Sequence, residues 1–116
     1  MSCNTVKSFP KASFSGSVTG TFTPQGLNIA GKMTPVTLNS ATWTALPATP
    51  LTNRNAIRIQ NQSAIEIKTQ YDNTTVGYVG IIVSANGSDA YDIKENIVIY
   101  AKSANGTPTV MVEELS

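Results

Sequence analysis

The chain reads as an all-β protein, an antiparallel β-sandwich or jelly roll preceded by an extended N-terminal arm. Three observations predict this. No stretch places apolar residues at i, i+3, i+4 and i+7 for long enough to make a helix. Several short runs alternate apolar and polar residues with the two-residue period of a half-buried strand. Asn, Gly and Pro punctuate those runs at strand-length intervals, the spacing of a sandwich or barrel of about six to nine short strands.

The first forty residues are the expected arm, and residues 41–116 the sandwich core of a single domain. Up to residue 50 the chain carries Lys7, Lys11 and Lys32, no acidic residue, and many Gly, Ser, Thr and Pro. Within it Val18 to Thr23, Val36 to Leu38 and Thr42 to Leu46 read as short, weak strands. Pro47 and Pro50 force extended backbone before them and keep Ala45 to Leu51 out of any central strand. From residue 51 onward the chain holds every carboxylate and most of the branched aliphatics.

Ala56 to Gln60 alternates cleanly, its isoleucines on one face and Arg58 and Gln60 on the other. Ile65 to Tyr71 repeats the pattern, with Glu66, Lys68 and Gln70 expected to face water. Gly77 to Val83 is apolar on both faces, Ile97 to Ala101 nearly so, and Thr109 to Glu113 closes the chain as a last strand. Asp72-Asn73 separates the second and third of these runs. Asn86-Gly87 and Asn105-Gly106 suit type I′ hairpin turns, because both residue types tolerate positive φ. The tetrapeptide Ser-Ala-Asn-Gly occurs at 84–87 and 103–106 and reads as reuse of a good turn.

Composition removes several functions. With 8 Lys+Arg against 7 Asp+Glu, the basic excess of a nucleic-acid binder is missing. The absence of histidine removes the commonest general base and the commonest transition-metal ligand. A single cysteine, Cys3, allows no internal disulfide and no multi-cysteine metal site. No apolar run is long enough for a secretory signal or a membrane span, so synthesis in the cytoplasm is expected. No G-x-S-x-G elbow is present to build a nucleophile.

Asp89, Asp92 and Glu95 form the densest acidic group, but Lys94 lies inside it and the calcium-loop pattern is absent. Trp43 is either a plug at one end of the core or an aromatic platform for a sugar. No catalytic residue, metal or cofactor is expected. The most informative feature is apolar side chains on both faces of the central runs. If Val79, Ile81, Val83, Ile97, Ile99, Val110 and Val112 fill the core, then Tyr78, Ile82, Val98, Tyr100 and Met111 point outward. Together they would form an apolar patch large for a monomer. Either the N-terminal arm or a second subunit is expected to cover it.

The stretch Ala45-Leu46-Pro47-Ala48-Thr49-Pro50-Leu51-Thr52-Asn53-Arg54 leads into Asn55 to Ser63, a strand with Gln60-Asn61 at its close. Ile65 to Lys68, Val83 to Gly87, Ile97 to Ala101 and Val110 to Glu114 follow. Over about residues 42–116 this resembles small bacteriophage virion proteins of the head-decoration, head-fibre or accessory type. In that lead-in Asn53 can turn the chain and Arg54 can clamp a carboxylate or neighbouring carbonyls. The resemblance implies a non-enzymatic structural protein of a tailed-phage particle that decorates or staples the assembled head.

Its expected partners are the major capsid protein and further copies of itself, as a dimer or trimer, with no nucleic acid and no membrane. Its expected location is the virion. The residues expected to self-associate are Tyr78, Ile82, Val98, Tyr100 and Met111. Shell contact is expected from Lys7, Phe9, Lys11 and Phe14. The alternative is a tail or head-fibre accessory domain that binds host surface glycan through Trp43 and nearby tyrosines.

Overall fold

A computed structural model describes residues 27–116. These form eight strands and no helix: β1 (Gly31–Thr37), β2 (Thr44–Leu46), β3 (Ala56–Asn61), β4 (Ile67–Gln70), β5 (Ile81–Val83), β6 (Ser88–Tyr91), β7 (Ile99–Ser103) and β8 (Thr109–Leu115). They build two four-stranded antiparallel sheets, ordered β1-β8-β3-β6 and β2-β7-β4-β5.

Alternation decides which side chains meet between the sheets. The first sheet contributes Ile57, Ile59, Val110 and Val112, and the second contributes Leu46, Ile67, Val83, Ile99 and Ala101, all buried. Leu38, just after β1, completes this core. Each large aliphatic so buried stabilises the fold by about 1.5–3 kcal/mol. Of the expected core, Val83, Ile99, Val110 and Val112 are inside, whereas Val79, Ile81 and Ile97 are exposed. Only Ile81–Val83 of the apolar run 77–83 forms a strand. Gly77, at φ 91, turns the backbone out of extended geometry before it.

The expected arm ended at residue 40, but Gly31–Thr37 pairs with β8 over its whole length. Pro35 and Lys32 hid this strand in the sequence. Both are tolerated because β1 is a sheet edge with a partner on one side only. The expected strand at Val18 to Thr23 lies outside the described residues.

The two Asn-Gly turns also differ from expectation. Neither closes a hairpin: Asn86-Gly87 carries the chain from β5 to β6, and Asn105-Gly106 from β7 to β8, each crossing to the other sheet. Positive φ occurs at Asn86 and at Gly106 alone, not at both residues of either pair as a type I′ turn needs. β4 and β5 are the one consecutive pair of strands that are neighbours in a sheet. The connection between them, residues 71–80, is long and takes a course the sequence did not suggest.

Polar residues close both ends of the sandwich. Arg54 is fully buried beside Glu114 at 2.9 Å. It also donates to the carbonyls of Ile93 (3.3 Å), Lys94 (2.9 Å) and Ile97 (2.7 Å). The clamp expected from the Asn53-Arg54 lead-in therefore takes a carboxylate and carbonyls together. Asn53, at φ 60, turns the chain ahead of it, and its amide donates to Glu95 at 2.9 Å. At the opposite end the amide of Asn61 donates to the carbonyls of Ile65 (2.7 Å) and Ser84 (3.1 Å). Its oxygen accepts the Ser63 hydroxyl at 2.7 Å.

Candidate functional site

The outer face of the second sheet is where the chemistry concentrates. Register places Lys68 of β4 directly opposite Lys102 of β7. Two like charges facing each other across a ladder destabilise it unless something intervenes. Residues 71–80 supply that by folding back over the sheet as a flap. The Lys102 ammonium donates to the Gly77 carbonyl at 3.1 Å and lies 4.8 Å from the centre of the Trp43 ring. The Lys68 ammonium donates to the Tyr78 carbonyl at 3.3 Å and lies 4.6 Å from the Tyr78 ring centre. A ring face attracts a cation through its quadrupole, by about 0.5–2 kcal/mol as water is excluded.

Three further bonds fasten the flap. Trp43 Nε1 donates to the Thr75 carbonyl at 2.8 Å, and Gln70 donates to the Val79 carbonyl at 2.7 Å. The Tyr78 hydroxyl donates to Glu66 at 2.9 Å. Burial, and then the Glu66 carboxylate, push the Tyr78 phenol well above its ordinary range, so it remains a neutral donor. Asp72 opens the flap with a tight turn, accepting the Thr74 amide at 2.8 Å and hydroxyl at 2.7 Å. Those two bonds hold its carboxyl below the ordinary value.

This arrangement corrects two expectations. Lys68 and Gln70 face outward but lie part-buried under the flap, not in open water. Trp43 is not a core plug. It stands on the outer face beside Lys102, with its N–H and one ring face already engaged.

The five residues expected to self-associate do not share a surface. Ile82 and Tyr100 lie on the outer face of the second sheet, since each alternates with a buried neighbour (Val83; Ile99 and Ala101). Tyr78 belongs to the flap above it, and Val98, two residues ahead of Tyr100, is part-buried. Met111 lies on the other side of the molecule, on the outer face of the first sheet opposite Gln60 and Pro35. Two-sided apolar runs therefore mark two separate faces, and part of the second is covered by the chain's own flap. Lys7, Phe9, Lys11 and Phe14 lie outside the described residues.

Beside the flap the sheet ends at β5, and here apolar side chains are bare. Ile81 is 62% exposed and Ile82 52%, with Tyr71, Val76 and Val79 exposed close by in sequence. A cleft of about 220 Å³ opens there, lined by Thr69, Tyr71, Ile81, Tyr91 and Ile99 among others. Tyr91 forms part of its wall. Burial and the neighbouring Asp89 push its phenol up, so it is a donor and not a base.

The acidic residues weighed for calcium go to separate tasks: Glu95 caps the Asn53 amide and Asp89 accepts the Tyr91 hydroxyl at 3.3 Å. Among the described residues no group of three His, Cys, Asp or Glu stands close enough to hold an ion. No helix there is long and apolar enough to cross a membrane.

Sequence reasoning missed the Lys68–Lys102 pair and the Asn61 plug. The lysine pair needs strand order, which periodicity does not contain. Asn61 had a signal in Asn61-Gln62-Ser63, the spacing of a side chain that turns its own backbone. No known protein-family model matches the chain, and no curated protein matches it. Neither comparison bears on the likeness to virion β domains expected from residues 42–116.

Proposed function

We propose that this chain is a structural protein of a tailed-phage particle, without enzymatic activity, which decorates the assembled head and staples it. The observation that carries the reading is the bare apolar edge at β5, beside a face already roofed by the chain itself. Exposed Ile81 and Ile82, with Tyr71, Val76 and Val79 close by in sequence, give a surface suited to another protein and not to water. The strand orders β1-β8-β3-β6 and β2-β7-β4-β5 support the finer reading of the fold as a jelly roll, an architecture common in capsid proteins. The sequence resemblance supports the same assignment.

The mechanism is mass action. A protein that binds the assembled shell and not its separated subunits stabilises the shell by RT ln(1 + [L]/Kd) per site. Lys7, Phe9, Lys11 and Phe14 are the proposed shell contacts, and the β5 side the contact between copies. The experiment is to add purified protein to expanded heads lacking it. Saturable binding and a raised disassembly temperature are expected. A chain that scatters light as a monomer and leaves the heads bare and equally labile would remove the reading.

A further inference from the structure

A sandwich of two open sheets has four edge strands, each with a row of backbone groups able to recruit a foreign strand. Three of the four here are blunted. β1 carries Lys32 and, in its middle, Pro35, which has no N–H to offer. β2 is three residues long and runs straight into Pro47. β6 carries Asp89 opposite the buried Ile59, so a charge points inward from the edge, and Asp92 follows it.

β5, although as short as β2, carries neither charge nor proline. No charged residue and no proline occurs from Asn73 through Ser88, and β5 itself is Ile81-Ile82-Val83. Gly80 keeps this segment flush against the sheet, because a Cβ there would run into the Thr69 carbonyl oxygen. Among the described residues only β4 pairs with β5. The result is a straight, apolar, β-branched edge with nothing to repel a second strand.

We infer that β5 pairs with β5 of a second copy, antiparallel about a two-fold axis through Ile82, joining the two β2-β7-β4-β5 sheets into one. The charge pattern selects this occupant. About a two-fold axis through Ile82 this residue meets its own copy, Ile81 meets Val83 of the second copy, and the further opposed pairs come from the same uncharged stretch, so no like charges are brought together. Asp72 and Asp89 bound the neutral stretch on either side. The geometry also closes. Among the described residues the pairing consumes the one edge of each copy that lacks charge and proline and leaves β1, β2 and β6, all blunted, so growth stops at two. The exposed Ile81 and Ile82 and the neighbouring Val79 add apolar contact to the backbone bonds, as in strand-addition interfaces. This pairing does not depend on the virion reading. A dimer that ignores phage heads would leave it standing and remove the other.

Light scattering and sedimentation from low micromolar to near-millimolar concentration test it. A dimer is expected. In Ile82→Lys two ammonium groups would meet at the axis, and dimerisation should weaken by at least about tenfold. Ile82 faces Lys68 across the β4–β5 ladder, so the added lysine also lowers the monomer's own stability. Ile82→Glu, which sets an opposite charge against Lys68, should keep the wild-type melting temperature at concentrations where both are monomeric and weaken dimerisation as much. Ala90→Lys, on the β6 edge, should dimerise as before. A wild-type monomer throughout, a dimer indifferent to Ile82→Lys, or a trimer would each overturn the proposal. So would a neutral edge that captures only an unrelated extended peptide.

Discussion

At the end of the sandwich where β3 begins, Arg54 is fully buried with Glu114 at 2.9 Å and three carbonyls on its remaining N–H groups. On the outer face of the second sheet Lys102 is 6% exposed, and among the described residues no carboxylate pairs with it. It has a carbonyl and an indole ring instead. The first arrangement is a fixed joint, because removing either partner strands a charge inside the protein. The second is a cover held by dipoles and a quadrupole, which water can replace. The Arg54 end thus holds the fold together through an ion pair inside the protein, while the flap is held by contacts that leave no buried charge behind when they break.

The largest expected effect breaks the first arrangement. Arg54→Met leaves Glu114 buried without its counter-charge and should cost about 3–5 kcal/mol in urea unfolding. Lys102→Met keeps the aliphatic stem and strands no charge, so its cost should be below about 1.5 kcal/mol. Equal losses for the two variants would erase the contrast. Arg58 supplies a surface reference: its pair with Glu113 at 3.1 Å is half-exposed. Arg58→Ala should cost no more than about 1 kcal/mol, and less in high salt.

The smallest expected effect is acid-dependent and belongs to two turns, one opening the flap at Asp72 and one ahead of Arg54 at Asn53. Asp72 and Glu95 are both held below the ordinary carboxylate value, Asp72 first by the Thr74 amide and Glu95 first by the Asn53 amide. A carboxyl depressed in the folded state contributes its stability in full above its unfolded pKa and loses it as pH falls through the folded one. The Thr74 and Asn53 amide resonances should therefore titrate at a pH below the usual carboxylate range. Titration at the ordinary value would mean that these turns do not form in solution.

Much of the architecture was legible in the sequence, and the reason is local. Period-two alternation fixes which side of β3, β4 and β8 faces the core, so Ile57, Ile59, Ile67, Val110 and Val112 are readable without a fold. The Arg54 clamp was readable too, because a guanidinium after a turn residue seeks acceptors in neighbouring loops. What stayed hidden depends on strand order. Lys68 and Lys102 are thirty-four positions apart and meet only because β4 lies beside β7. Met111 seemed to share a patch with Tyr100, since alternation tells inside from outside but not one outer face from the other. The flap was misread because Gly77 to Val83 has a strand's composition, and only its last three residues find a partner.

A cysteine at position 82 tests the two-fold edge most directly. In an antiparallel pair directly opposed Cα atoms lie about 4.5–5.5 Å apart, within the range a disulfide spans. In a Cys3→Ser background, Ile82→Cys should oxidise at low micromolar concentration to a covalent dimer, while Ala90→Cys under the same conditions remains a single chain. If the two cysteine variants cross-link equally, or position 82 stays reduced, β5 does not meet its own copy.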